Sequence, residues 1–485
     1  MGDRVNGGLL CHCGSGGCRL RKAGATDVGP GFSLGRTVEE GEGMEQSVKA
    51  GVDKGDLLLR RKGAALRRRD GMVLNRISQA IFALLGLWVL SVLGRGLWQN
   101  PSVFFQQVLN GLQLGFIYAL IALGYTMIYG IVKLINFAHG DVFMIGSFTS
   151  FYMIATLDLH RWVVWVAPGL PEVVSTILGT VTVIGVSMVV CGALAVIMER
   201  FAYRPLRNKP RIAALITAVG VSFFLEYFAA LPFAYTSNYI TYPRPFEVEV
   251  YSAGQISPIL LVGMWALFAV SLAVYAVFWV RSRRGDLLAS ARLRHPLLIF
   301  GLQFGGFLAA VLTLTGLHIE TQGRVWDLSA SNVALLIMSA SIVLQVVLQY
   351  VVSSTRLGKA MRAAAYDKQA ARLMGIDVDA VVAATFALGG GLAGAGGVLY
   401  ATAYRQVHHL MGIIPGLKAF VAAVIGGIGS IPGAFVGSLI MGQTEVLTAG
   451  FISTPMRDAI AFSLLIIVLL VWPQGIFGEP PAEKV

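Results

Sequence analysis

Long apolar runs recur along most of this 485-residue chain, and they limit what it can fold into. A helix needs about 20 mostly apolar residues to cross the hydrocarbon core of a bilayer. From residue 79 onward, runs of about that length follow one another. Over the whole chain 56% of the residues are hydrophobic and only 13% are charged, whereas a soluble globular protein needs more polar surface. The pattern therefore predicts an all-α, polytopic membrane protein.

We expect about ten transmembrane helices and one further Gly-rich segment that is broken or re-entrant. The candidate spans are 79–98, 107–131, 142–159, 173–198, 212–233, 258–280, 297–317, 331–353, 380–402 and 457–473. The Gly-rich segment, 418–441, carries four glycines and Pro432 between residues 426 and 433. A helix is unlikely to pass unbroken through such a stretch, because glycine and proline both disfavour helix interiors.

Basic residues concentrate in three short linkers, which fixes the expected orientation. The linkers are 199–211, 281–295 and the loop after residue 353, and the positive-inside rule places all three in the cytoplasm. The alternate linkers at 235–258 and 318–329 are aromatic, acidic or nearly neutral, as suits an outer face. Because membrane topology accounts for the net charge of +12, we predict no nucleic-acid partner.

Residues 1–78 precede the first apolar run and differ from the 79–485 transmembrane domain. They are rich in Gly, Arg and acidic residues without an apolar period, which predicts a disordered basic cytoplasmic tail or an over-long translation start. Three of the four cysteines, Cys11, Cys13 and Cys18, lie in this tail beside His12. These residue types suit zinc, but no second ligand pair stands at the spacing of a structural site, so we predict no metal site.

The loop at 354–379 is longer than a simple connection between two spans requires. Its stretch from Arg362 to Leu373 contains five alanines, which are strong helix formers, and Gly375 follows as a helix stop. This pattern predicts a short amphipathic cytoplasmic helix with an alanine face shaped for docking. Asp377 or Asp379 can then cap the next span.

Four segments carry a resemblance to one family of transport proteins. The loop sequence RAAAYDKQAARLMGI resembles the Ala-Gly cytoplasmic loop by which permeases of ABC importers couple to their ATPases. The segments 110–147, which contains INFAHGD, 199–225 and 416–442 resemble the H-type permease subunit of high-affinity branched-chain amino acid importers. The resemblance extends from about residue 103 to the end of the chain. It departs at the tail and at residues 282–330, an expected insertion whose two extra crossings leave the 354–379 loop in the cytoplasm.

The resemblance implies a multi-pass permease subunit in a bacterial inner membrane. Its implied partners are the lipid bilayer, a homologous second permease that completes the solute path, two cytoplasmic ATPase subunits and a periplasmic solute-binding protein. We predict neither enzyme activity nor a cofactor in this chain, since it lacks a GxxxxGK[ST] pattern and ATP and Mg would be bound by the ATPase subunits. The coupling residues would be Arg362, Ala364, Asp367, Ala371 and Gly375.

Polar groups and helix breaks inside apolar spans are candidates for the solute path, because both are costly in lipid. The candidates are Asn110, Gln113, Asn136, His139, Gly426 and Gly429. Asn136 and His139 also fit a second role, in which they brace a helix-breaking turn. The glycines equally fit tight helix packing. Glu226 suits either gating or a partner at the membrane interface.

Two other classes of protein, a secondary transporter and an enzyme, fit the sequence less well. The spans contain almost no Asp, Glu, Lys or Arg, which argues against a secondary transporter with charged relay residues. No paired carboxylates, HExxH motif or Ser/His/Asp grouping indicates an enzyme. An ABC permease for urea or short amides, or for hydrophobic amino acids in general, remains an alternative. With few ionic groups along the path, we expect weak selectivity in the permease and cargo choice by the binding protein.

Overall fold

The structure is a computed structural model that describes residues 86–89, 91–207, 209–232, 237–252, 320–321, 324–325 and 329–478. The tail at 1–78, the predicted spans 258–280 and 297–317 and most of the expected insertion lie outside these residues. The described residues all belong to one compact unit, Leu84–Val485.

Helices make up nearly all of the described chain. Residues 86–89 and 91–99 are helical. The helices that follow are α1 (Pro101–Val132), α2 (His139–Ala155), α3 (Trp162–Val166), α4 (Glu172–Met198), α5 (Arg211–Ala229), α6 (Asn332–Ser354), α7 (Arg356–Tyr366), α8 (Lys368–Leu373), α9 (Val378–Tyr404), α10 (Ile413–Gly426), α11 (Ile431–Phe451) and α12 (Arg457–Val471). A π-helical turn at Glu199–Tyr203 extends α4, and 3-10 turns occupy Leu159–Arg161 and Arg204–Leu206.

The strands are short and lie in the connections. They are β1 (Ile240–Thr241), β2 (Val250–Ser252), β3 (Glu320–Thr321), β4 (Arg324–Val325), β5 (Ser329–Ser331) and β6 (Gln406–Val407). Each pairs antiparallel with one other, β1 with β6, β2 with β5 and β3 with β4. Ser252 is paired with Ser329, so the two ends of the intervening segment lie side by side.

Within the described part of the chain, five helical segments are long and apolar enough to cross a membrane: Pro101–Val132, Glu172–Leu206, Ile212–Ala229, Asn332–Ser354 and Val378–Tyr404. A sixth crossing would combine α2 with Leu159–Val166 across a bend of 63°. The prediction of an all-α, polytopic membrane protein is confirmed.

Helix α1 lies at the centre of the described bundle, packed against α6, α9, α10 and α11. Small residues permit these close contacts. A Cβ on Gly115 would lie 2.9 Å from Cα of Leu439, and one on Gly389 would lie 3.3 Å from the carbonyl oxygen of Gly124. Helices in lipid gain little from apolar burial, so close approach through small residues supplies much of the packing.

Two helices of the bundle begin partway along α1. His139, the first residue of α2, lies against Gly124, which is eight residues before the end of α1, or about 12 Å along its axis. Helix α10 begins at the same level, where Gly416 contacts Tyr125 and Gly140. From this level α2 runs toward the start of α1 at Pro101. Helix α10 runs the other way, toward the end of α1 at Val132.

The Gly-rich segment is broken, as predicted, at residues 427–430 between α10 and α11. Gly427 and Gly429 have φ of 105° and 102°, a conformation that favours glycine. The turn lies beside Gly130 near the end of α1, and Phe477 N donates to the carbonyl oxygen of Gly426 at 3.0 Å. The break therefore lies at one end of the bundle, and the helix starts at His139 and Ile413 lie deeper.

The described helices bury more charge than the sequence predicted. The charged residues that are at most 4% exposed are Asp141, Glu199, Glu226, Lys418 and Glu445. The expectation of spans almost free of charged groups is therefore wrong. It failed because Asp141 and Lys418 lie at the edges of apolar runs in the sequence, but the fold places both inside the bundle.

Lys418 is at the centre of a buried ionic cluster that joins α10, α11 and α12. Its Nζ lies 2.7 Å from Oε1 of Glu445 and 2.7 Å from Oδ1 of Asp458. Tyr118 donates its hydroxyl hydrogen to Oε2 of Glu445 at 2.8 Å. The cation thus has its partners within the fold, which a buried charge requires.

Candidate functional site

A cavity of 230 Å³ lies where α2 and α10 begin. Three glycines allow the two helix starts to touch there. A Cβ on Gly416 would lie 2.8 Å from Cα of Gly140, and a Cβ on Gly140 would lie 2.5 Å from the carbonyl oxygen of Gly412. A larger residue at these positions would push the helix starts apart.

The polar part of the cavity comes from α2 and α5. Ser222 donates its hydroxyl hydrogen to Oδ2 of Asp141. Glu226 also lines the cavity, close enough to Asp141 for an electrostatic interaction between the two carboxyl groups. His409 is near enough to Glu226 for an electrostatic interaction. Among the residues that the structure describes, no lysine or arginine forms an ion pair with either carboxyl group.

The remaining wall of the cavity is mostly apolar. Its large side chains include Tyr125, Phe223, Leu417 and Phe420. The Tyr125 and Phe420 rings contact each other edge to face, with centroids 5.7 Å apart. The cavity thus offers two acidic groups, the hydroxyls of Ser222 and Tyr125, two helix N-termini and an apolar surface.

Asn136 and His139 lie beside this cavity without lining it. Asn136, one of the non-helical residues 133–138, accepts a hydrogen bond on Oδ1 from the hydroxyl of Tyr203 at 2.5 Å. The buried His139 ring packs edge to face on Tyr125, with centroids 4.6 Å apart. These contacts fit the second role that the sequence suggested, bracing the helix break.

The other four residues that the sequence predicted for the solute path lie away from this cavity. Asn110 and Gln113 line a separate cavity of 140 Å³ near the start of α1, together with residues of β5. Gly426, the last residue of α10, and Gly429, in the turn before α11, lie at the opposite end of α1. The six candidates thus occupy three levels along α1.

Sequence reasoning missed Asp141 and Ser222. Asp141 stands in the INFAHGD motif, directly after the residues that were singled out, and it lies in the first turn of α2. An acidic residue at a helix start inside a long apolar region was the available signal. Ser222 gave none, because a serine in an apolar helix usually satisfies its hydroxyl on its own backbone.

The loop at 354–379 forms two helices instead of the predicted single helix from Arg362 to Leu373. Helix α7 already begins at Arg356, and Asp367 breaks the helix with extended backbone angles of φ −147° and ψ 114°. The Asp367 side chain caps α8 by accepting from the backbone N–H groups of Gln369 and Ala370, at 2.7 and 3.1 Å. An aspartate at this position competes with the helix for backbone donors.

Gly375 ends α8, as predicted, with φ of 81°. Its N–H donates to the carbonyl oxygen of Arg372 at 3.0 Å. Asp377 caps α9 by accepting from the backbone N–H groups of Asp379 and Ala380, at 3.0 and 3.1 Å. Of the two possible caps, Asp377 is therefore the one used, and Asp379 forms ion pairs.

Two alanines of this loop are turned inward: Ala364 and Ala371 are only 1% and 4% exposed. Ala370 is exposed and Ala363 and Ala365 are half-buried, so docking of this loop against a partner stays a prediction. The large exposed apolar side chains are Tyr366, Leu373 and Met374, at 90%, 88% and 81% exposure. We call these three residues the apex patch. Alanine's small side chain lets the loop helices lie close to the bundle, which leaves the larger residues outside.

Two sets of contacts tie the loop to the bundle. Lys368 Nζ donates to the carbonyl oxygen of Val132, the last residue of α1, at 3.2 Å. Burial, followed by the nearby cations Arg207, Lys133 and Arg372, lowers the pKa of Lys368. In the first turn of α9, Asp379 binds Arg207 and Arg204 from the linker after α4, and Arg207 also pairs with Glu199 at 2.6 Å.

Comparison with known proteins assigns the family. The model of the family described as branched-chain amino acid transport system / permease component matches residues 107–293 and 297–469. The chain is 36% identical over 382 residues to the high-affinity branched-chain amino acid transport system permease protein LivH of Salmonella typhimurium and, equally, to LivH of Escherichia coli K12. It is 34% identical over 382 residues to the corresponding protein BraD of Pseudomonas aeruginosa.

Each of these alignments covers 79% of this chain and 98% of the relative. No solved structure matches the chain. The matched residues include both helix starts at the cavity, the 354–379 loop and the turn before α11. The chain therefore belongs to the family of permease components of branched-chain amino acid transport systems.

Proposed function

We propose that this chain is the permease subunit of an ATP-driven importer of branched-chain amino acids in a bacterial inner membrane. The observation that carries the proposal is the alignment over 98% of LivH and BraD, which are named as permease proteins of high-affinity branched-chain amino acid transport systems. The complete importer would add a homologous second permease, two cytoplasmic ATPase subunits and a periplasmic solute-binding protein. ATP and Mg would bind to the ATPase subunits.

The orientation follows from the basic residues at one end of the bundle. Arg204, Arg207 and Lys368 cluster around the end of α1, together with the 354–379 loop. By the positive-inside rule this end faces the cytoplasm and the ATPases. The start of α1, with the Asn110 and Gln113 cavity, then faces the periplasm and the binding protein.

Conformational coupling would begin at the apex patch. An ATPase that holds Tyr366, Leu373 and Met374 would move the loop when it closes around ATP. The loop is tied to the end of α1 through Lys368 and to the start of α9 through Asp379. Both helices lead to the level where α2 and α10 begin, so a rigid displacement of the loop would reach the cavity.

The test uses the complete importer in proteoliposomes, with ATP enclosed on the ATPase side and the binding protein outside. Leucine uptake that requires ATP is expected, and ADP in place of ATP is the control. Uptake that is independent of ATP would indicate a secondary transporter. If urea accumulates and leucine does not, the short-amide alternative is correct, and calorimetry of the binding protein with both solutes provides an independent check.

A further inference from the structure

We propose that the cavity between α2 and α10 binds the charged head group of the transported amino acid, with Asp141 and Glu226 receiving its ammonium group. The inference rests on the proposed function and adds the site and the chemistry of recognition. It concerns the carboxyl groups of α2 and α5, the N-termini of α2 and α10, and the apolar wall around them.

The two carboxyl groups form an acidic pair that no described lysine or arginine neutralises, and His409 lies near Glu226. Asp141 and Glu226 are at most 4% exposed, both line the cavity, and they are close enough to interact electrostatically. Buried carboxylates in such a position require a proton or a cation, because their mutual repulsion and desolvation are both unfavourable. Lys418 fills that role for Glu445 elsewhere in the bundle. In the cavity, the described residues provide no lysine or arginine partner, which leaves a position for an ammonium group from outside the chain.

The cavity also offers a position for the negatively charged carboxylate of an amino acid. Helix α2 has 17 residues and α10 has 14, and both begin at this cavity. The N-terminus of a helix carries a partial positive charge. In transporters, half-helix N-termini at mid-membrane point at anionic groups of the solute. The close contact between Gly140 and Gly412 brings both helix starts together at this cavity.

The size and walls of the cavity suit a small apolar amino acid. Its 230 Å³ is below the roughly 300–1,000 Å³ typical of pockets for drug-sized ligands. Phe223 and Leu417, which line it, are 53% and 39% exposed, so the wall is open on their side. A second permease at this face would complete the wall. The site would thus select for the zwitterion and discriminate less among apolar side chains, in contrast to the weakly selective path that the sequence suggested.

The first experiment measures leucine uptake by the complete importer carrying Asp141→Asn or Glu226→Gln. Each variant keeps the shape of the side chain and removes one acceptor charge. We expect uptake to fall by about tenfold or more, since hydrogen bonds to charged groups are the stronger ones. The loaded binding protein should still stimulate ATP hydrolysis, because the docking surfaces are unchanged. Glu172→Gln, at an exposed carboxylate on α4, is the matched control and should transport normally.

The second experiment probes the charge of the cavity without relying on transport. Ser222→Cys is placed in a chain whose Cys11, Cys13 and Cys18 are replaced by serine, with Cys191 left buried. A cationic aminoethyl methanethiosulfonate should modify this cysteine about tenfold faster than the anionic sulfonatoethyl reagent, because two carboxyl groups surround it. At the control position Ser463→Cys, outside the cavity, the two reagents should differ much less. Leucine supplied by the binding protein should slow the reaction at position 222.

The outcomes separate this inference from the proposed function. If the unmodified importer takes up leucine and both charge-removing variants transport it normally, the site assignment is wrong and the proposed function stands. Equal reaction of both reagents at position 222 would also overturn the assignment, even if the variants fail to assemble. If the unmodified importer transports urea and not leucine, the proposed substrate and this inference fail together.

Discussion

The Nη2 atom of Arg204 lies 2.6 Å from Oδ2 of Asp379, which joins the linker after α4 to the first turn of α9. Arg207 from the same linker binds the other oxygen of this carboxylate. Because Asp379 is the last residue of the 354–379 loop and lies in the first turn of α9, its side chain connects that loop to α4 and α9.

Replacing Asp379 with Asn should uncouple transport from ATP hydrolysis while the spans stay folded. Partly exposed ion pairs each contribute at most about 1 kcal/mol to stability, so the cost in folding is small. The measurement is the amount of leucine taken up for each ATP hydrolysed in proteoliposomes, with Glu172→Gln as the control. An unchanged ratio in Asp379→Asn would show that this contact does not transmit motion.

The apex patch should be the surface that holds the ATPase. Leu373→Asp, on a side chain that is almost fully exposed, should abolish co-purification of the ATPase subunits without lowering the unfolding temperature of the permease. Ala371→Arg should instead lower the unfolding temperature of the permease, because Ala371 is buried and the loop has no room for the larger side chain. Normal ATPase binding by Leu373→Asp would assign docking to another part of the loop.

Gly375 should tolerate change poorly although nothing packs on it. It has φ of 81°, and a Cβ there would meet no atom within 4 Å. Gly375→Ala should therefore cost about 1 kcal/mol through backbone strain alone. Gly220→Ala, in an open helical position with no neighbour within 4 Å, is the matched control and should be neutral or slightly stabilising. Thermal unfolding in detergent compares the two.

The buried ionic cluster should contribute to stability. Glu445→Gln leaves the Lys418 ammonium with Asp458 as its remaining anionic partner, and breaking a buried ion pair in this way costs up to about 3–5 kcal/mol. We expect a clearly lower unfolding temperature. The double variant Lys418→Met with Glu445→Leu should recover part of the loss, since it leaves no unpaired ammonium. If the double variant is less stable than Glu445→Gln, the contacts of the whole cluster contribute more to stability than the Lys418–Glu445 pair alone.

The contact between the two helix starts should tolerate no side chain. Gly140→Ala places a Cβ 2.5 Å from the carbonyl oxygen of Gly412, so α2 and α10 must separate. Leucine uptake should fall strongly, whereas Gly130→Ala, whose Cβ would find only an ordinary contact at 3.6 Å, should keep most of it. Equal uptake by the two variants would argue that the helix starts have room to move apart.

Much of the architecture was available from the sequence because it depends on local signals. The lengths of the apolar runs determine that the chain forms membrane-spanning helices. Gly375 stops α8 and the glycines at 427 and 429 break the Gly-rich segment because their backbone angles favour glycine wherever they occur. Basic linkers and the loop motif likewise depend only on neighbouring residues.

The cavity and the ion pairs were decided by the tertiary structure. Asp141 meets Ser222, which is 81 residues away, and Lys418 meets Glu445 on another helix. Whether two such residues face each other depends on the rotation of each helix and on the level at which it starts, and no local pattern encodes either quantity. The same holds for the alanines of the 354–379 loop. Their number predicted a helix, but packing against the bundle decided which of them face inward.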